Sequence, residues 1–175
     1  MAISVVARGA AVIGRGVVKA IGKGISGGNN HFSVSTNFDL KRINLNLSRE
    51  INDAADIIVS DIKSGIQYGR DIEGKPFTKL KPATITAKRL SGSKTPRMIL
   101  SDKEKMKKVY VSKKASKSSQ SAEIIPPKKR SDVGVYHQEG KGTLPERIWF
   151  GVSKTAEKKA MDMMELRIEQ EIRNA

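Results

Sequence analysis

Residues 39–67, DLKRINLNLSREINDAADIIVSDIKSGIQ, decide the fold. Leu40, Ile43, Leu47, Ile51, Ala54, Ile58, Ile62 and Ile66 recur at steps of three and four. That spacing lines one face of an α-helix of roughly seven turns. Asn37 or Asp39 can cap its start, and Gly69, Gly74 and Pro76 mark its exit. A stripe this long must be covered by other elements. Near the C-terminal end, Ser153 or Thr155 can cap a second helix, in which Ala156, Ala160, Met164, Ile168 and Ile172 lie four apart beside Met161 and Met163. A methionine-bearing stripe at this period is packing, either core or subunit interface.

The chain between these helices reads as short elements. ATITAKRL, residues 83–90, is a short helix, and SGSKTP after it a turn-rich connector. In Lys108–Ser112, Val109 and Val111 point one way and Tyr110 the other, as in a strand. KKASKSSQS follows as a flexible basic hairpin tip near residues 112–121, and Ala122–Ile125 returns, closed by Pro126 and Pro127. VGVYHQEG reads either as a strand end or as a short helical turn. Arg147–Val152 reads as a buried strand, with Arg147 and Trp149 on one side and Ile148 and Phe150 on the other. The fold class expected is α+β: long helices packed on a small antiparallel β-sheet, with an N-terminal extension. Residues 1–30 form that basic, glycine-rich extension and residues 31–175 a single domain.

Composition narrows the chemistry. The 175 residues include no Cys, which excludes disulfides, thiolate metal sites and thiol nucleophiles. The two histidines, His31 and His137, are far apart and in no ligand spacing, so no metal site is expected. No run of 18 apolar residues occurs, so no membrane span is expected. Aromatics are 5% of the chain, which leaves an aliphatic core in which Trp149, the only Trp, should be buried.

The first 28 residues mix small and apolar side chains, but Arg8, Arg15, Lys19 and Lys23 interrupt every candidate signal-peptide core. Ile3, Val6, Ala10, Ile13, Val17, Ile21 and Ile25 fall on one helical stripe, while five glycines between them weaken a helix by up to about 1 kcal/mol each. Docking on a neighbouring subunit through Ile13, Val17 and Ile21 is one reading. A membrane-surface helix and a disordered tail are the others.

The formal net charge of +15 is concentrated. Residues 75–131 carry 17 basic and three acidic residues, a local excess of +14. Such a stretch suits a polyanion or an acidic protein face, and equally a solvated loop that keeps the chain soluble. The basic residues singled out for DNA or acidic-partner contact are Lys113, Lys114, Lys117, Lys128, Lys129 and Arg130. The stretch holds no zinc-finger or RNA-recognition signature and only Phe77 and Tyr110 as aromatics, so contact would be with phosphates and not with sequence.

Three segments in fixed order resemble the phage virion morphogenesis family. In DIEGKPFTKLKPATITAK, residues 71–88, the matching positions are Asp71, Gly74, Phe77, Leu80, Thr84 and Lys88. ILSDKEKMKKVYV, residues 99–111, is similar to the family's hydrophobic pair, capping hydroxyl and strand, with Asp102 where the family usually has Gly. In YHQEGKGTLPERIWFGVS, residues 136–153, Tyr136, His137, Gln138, Gly140, Pro145, Arg147, Trp149, Gly151 and Ser153 match, while Glu146 and Ile148 depart from the commoner residues. The resemblance spans residues 40–172, with little to match from Ser112 to Asp132. It implies a tail-completion-like domain in a structural virion protein, a homo-oligomer ring at the neck or tail end that joins tail to head. Implied partners are copies of itself, neighbouring connector, tail terminator or tail tube proteins and packaged DNA, in a virion assembled in the host cytoplasm. It implies no catalysis and no cofactor. On this reading Arg147, Trp149, Phe77 and Tyr136 are interface residues. The alternative is a non-sequence-specific DNA-binding structural protein. An enzyme would have only His137 with Glu139 and scattered Asp and Ser to work with, which is no assembled catalytic set.

Overall fold

A computed structural model describes residues 3–9, 19–20, 30–36, 46–101, 105–127 and 131–174, the first three stretches by backbone path alone. In chain order the elements are β1 (Ile3–Gly9), β2 (Lys19–Ala20), β3 (Asn30–Thr36), α1 (Ser48–Tyr68), α2 (Pro82–Leu90), a 3₁₀ turn (Lys105–Lys107), β4 (Tyr110–Lys113), β5 (Ser121–Ile125), α3 (Ser131–Glu139) and α4 (Lys154–Asn174). The protein is α+β.

The core is the apolar stripe of α1. Ile51, Ala54, Ala55, Ile58, Ile62 and Ile66 are all buried. They are met by Ala156, Ala160, Met164 and Ile168 of α4, and by Ala122 and Ile124 of β5. Emptying one such site, as in Ile58→Ala, removes transfer energy and leaves a cavity, at a cost of about 2–5 kcal/mol. Arg167 of α4 bonds Asp53 and lies 3.9 Å from Glu50, which sets the C-terminal half of α4 beside the first turns of α1. Ser153 starts α4 as expected, its Oγ accepting the Ala156 N–H at 3.0 Å.

The start of α1 corrects the sequence reading. The helix begins at Ser48 and not near Asp39, because the Asn46 side chain accepts the Ser48 N–H at 3.2 Å. Such a local side-chain bond competes with the helical one. Leu40 and Ile43, and the caps expected at Asn37 or Asp39, lie outside the described residues. The exit is as expected: Gly69 takes φ 67°, and the Arg70 N–H closes the helix onto Gly65 O at 2.9 Å.

β4 and β5 form the antiparallel hairpin, Tyr110 opposite Ile125 and Val111 opposite Ile124. Its tip carries bonds of its own. Asn52 of α1 brackets buried Ala115 with both ends of its amide, at 3.1 and 2.8 Å, and the main chains of Ser116 and Ser119 bond each other. The sheet order is β2-β3-β1-β5-β4, with β1 antiparallel to β5 and parallel to β3. The helical stripe expected over residues 1–28 is therefore not what forms at Ile3–Gly9. Ile3, Val5 and Val6 are β-branched, stiff at χ1 and at home in a strand. Ile13, Val17 and Ile21 lie outside the described residues. Among the described residues no helix is long and apolar enough to cross a membrane.

Candidate interaction groove

VGVYHQEG forms a helix. α3 ends in two left-handed glycines, Gly140 at φ 61° and Gly142 at φ 68°. Gly140 also lets the chain fold back closely, since a Cβ there would stand 3.0 Å from the Glu146 nitrogen. The returning segment 144–150 is not the strand that its alternating bulk suggests. Its donors go to α3: Arg147 N–H to His137 O at 2.7 Å, and Trp149 and Phe150 N–H both to the Gln138 Oε1 at 3.1 Å. Gln138 Nε2 in turn donates to Phe150 O at 3.1 Å. One glutamine amide thus fills the place of a neighbouring strand.

Trp149 is 2% exposed, and its indole N–H reaches Gly134 O on α3 at 3.0 Å. The ring lies so close to the helix that a Cβ on Gly134 would be 2.8 Å from its Cζ2. Phe150 packs beside it with ring centroids 5.4 Å apart.

Arg147, 3% exposed, ties α3 to the segment after α1. One guanidinium nitrogen lies 3.0 Å from His137 Nδ1, and another donates to Thr78 O at 3.1 Å. The Nε is buried without a hydrogen-bond partner. Arginine offers only donors, so His137 Nδ1 accepts and the ring proton sits on Nε2. Burial, and then the nearby Arg147 charge, hold the His137 pKa below its usual value, and burial lowers that of Arg147. Among the described residues no carboxylate forms an ion pair with Arg147.

The other segments that carry the resemblance are also held by specific bonds. Asp71 accepts the Glu73 and Lys75 N–H groups at 2.9 and 2.8 Å and sets the tight turn at Gly74, φ 84°. Phe77 N–H then bonds Gly69 O at 2.7 Å. Lys88 on α2 donates to the carbonyls of Thr95, Met98 and Ser101 at 3.2, 2.6 and 3.3 Å, and winds the connector around its ammonium. Leu100 adopts φ 55° there, and Thr95 Oγ1 bonds Ser101 O at 2.8 Å. A left-handed non-glycine costs about 1–2 kcal/mol, which these bonds offset.

These segments enclose a groove of 710 Å³. Its lining includes Thr78–Lys81 with Thr84 and Lys88 of α2, and Gly142–Pro145. Ile99, Leu100, Ser101, Met106, Val133, His137 and Arg147 complete the lining among the described residues. Every lining residue except Val133 comes from one of the three quoted segments, 71–88, 99–111 and 136–153. Among the described residues the lining holds four cationic side chains, Lys79, Lys81, Lys88 and Arg147, and no acid. α2 buries no residue, and Leu90 at its end is 85% exposed.

Comparison with family models, with curated proteins and with solved structures finds no match for this chain. Among the described residues no group of three or more His, Asp or Glu could hold a metal ion.

Of the residues expected at an interface, Arg147, Trp149 and Phe77 are each 6% exposed or less within this chain. Tyr136 is 47% exposed, with Lys141 Nζ 5.7 Å from its ring centroid. Lys113, Lys114 and Lys117 are exposed on the hairpin tip. Lys128, Lys129 and Arg130 lie outside the described residues. Sequence reasoning passed over Lys79, Lys81 and Leu144, whose only signal was their place inside the quoted segments.

Proposed function

We propose that this chain is a structural virion protein of a tailed phage, a subunit of a ring at the neck or tail end that completes the tail and joins it to the head. The observation that carries the reading is the convergence of the three segments resembling the phage virion morphogenesis family. Separated by up to some tens of residues, they build one groove and the bonded turns behind it, so the resemblance falls on positions with a shared task. The fold left over is suited to assembly: α2 is unpacked, and the groove beneath it is open. His137 has its Nδ1 committed to Arg147, a packing role and not proton transfer, and the protein acts by binding, without a cofactor. Its partners are copies of itself and neighbouring connector, terminator or tube proteins, in a virion assembled in the host cytoplasm.

A second reading, phosphate-directed DNA binding, is favoured by exposed Lys113, Lys114 and Lys117, which a subunit meeting packaged DNA would also use. Adding purified protein to extracts of heads and tails made without it tests the first reading. Restored joining into infectious particles is expected; extracts that remain unjoined, or that never needed the protein, would overturn it.

A further inference from the structure

The geometry points to the groove between α2 and the Gly142–Pro145 segment as a docking site for an extended, acidic and aliphatic segment of another protein. This rests on the groove alone and does not depend on the assembly in which the chain works.

Charge is the first argument. Among the described residues the lining carries Lys79, Lys81, Lys88 and Arg147 with no acid, and no carboxylate pairs with Arg147. A buried guanidinium without a counter-ion is costly, and a carboxylate is what its planar fork binds best. Arg147 lines the groove, with its Nε buried and unbonded, and Lys79 and Lys81 stand exposed at the rim. An incoming anionic side chain therefore meets exposed Lys79 and Lys81, and the Arg147 charge behind the lining adds to the positive field there.

Shape and apolarity are the second. Leu80, Ile99, Leu100, Met106, Leu144 and Pro145 make most of the surface aliphatic. A volume of 710 Å³ falls within the range of specific binding clefts, about 300–1,000 Å³, and is enough for several side chains of an extended peptide. α2, with none of its own residues buried, forms the wall left to be covered.

Nucleic acid fits less well. Among the described residues no Phe, Tyr or Trp lines the groove, and His137 is tied to Arg147, so bases would find little to stack on. The Lys88 ammonium is turned onto three carbonyls, which leaves Lys79 and Lys81 as the exposed cations of the lining, enough for one or two carboxylates and too few for a phosphate track.

The test is selection from a library of random extended peptides on the full-length protein, followed by binding measurements on the enriched peptides. Enrichment of Asp or Glu flanked by Leu, Ile or Val is expected. Replacing those acids by Asn or Gln should weaken binding at least tenfold, as should Lys81→Glu or Leu144→Asp on the protein, both changes at exposed positions with the melting temperature retained. The inference is overturned by a selected pool with no acidic or aliphatic bias, by binding unchanged in both protein variants, or by an oligothymidylate that displaces the peptides and binds more tightly than they do.

Discussion

Gly134→Ala sets two known effects against each other at one atom. In a helix interior, alanine is favoured over glycine by about 1 kcal/mol. At this site, however, the new methyl would stand 2.8 Å from Trp149 Cζ2 and 3.2 Å from the Met106 methyl. The methionine can swing aside, but the indole cannot: it is rigid, 2% exposed, bonded through its N–H to Gly134 O and backed by Phe150. Overpacking of a filled core costs about 1–3 kcal/mol, so the net effect is a loss of about 1 kcal/mol. For a chain of this size that lowers the melting temperature by about 2–4 °C. In a Trp149→Leu background the ring is gone and the helical preference acts alone, so the same Gly134→Ala change should stabilise by up to about 1 kcal/mol. Urea denaturation of the four proteins, with m-values compared, reads the cycle directly. A stabilising Gly134→Ala in the parent, or the same change in both backgrounds, would refute the account of Trp149 lying against α3.

Other outcomes follow from the same contacts. Trp149→Ala should cost about 3–5 kcal/mol, a large part of the stability of an ordinary domain, seen in a thermal melt. Arg147→Ala should also destabilise the monomer, by about 2 kcal/mol, because the bonds to His137 and Thr78 are charge-assisted and internal; a variant as stable as the parent would contradict the burial described here. His137 should make stability pH-dependent. Its folded pKa is below the unfolded value of about 6.5, so its neutral form favours the fold. Stability is full above that pH and declines as pH falls from it through the folded value, since the unfolded chain takes up the proton first. His137→Asn should flatten that part of the curve. Replacing Lys113, Lys114 and Lys117 by Gln should shift stability by less than about 0.5 kcal/mol, while any DNA binding loses close to one unit of salt slope for each phosphate contact removed.

The main helices were legible because burial repeats with the helical period: Ile51, Ile58, Ile62 and Ile66 line the core as their spacing predicts. The same period misplaced the start of α1, since Leu40, Ile43 and Leu47 continue it while Asn46 breaks it with a local bond that no periodicity records. The segment Arg147–Val152 failed for a related reason. Alternating bulk looks like a strand from sequence, but its donors find a helix carbonyl and a glutamine amide. Arg147 read as the interface residue of a buried strand, whereas the turns at Gly140 and Gly142 fold it onto α3 of its own chain. The groove was out of reach, because its walls come from segments that only the tertiary fold brings together, and Lys88 bonds to carbonyls that every residue has.

Electron microscopy of particles made without this chain tests the proposed role in completing a phage tail and joining it to the head. DNA-filled heads accumulating beside unattached tails are the predicted result, and normal, infectious particles in its absence would contradict it.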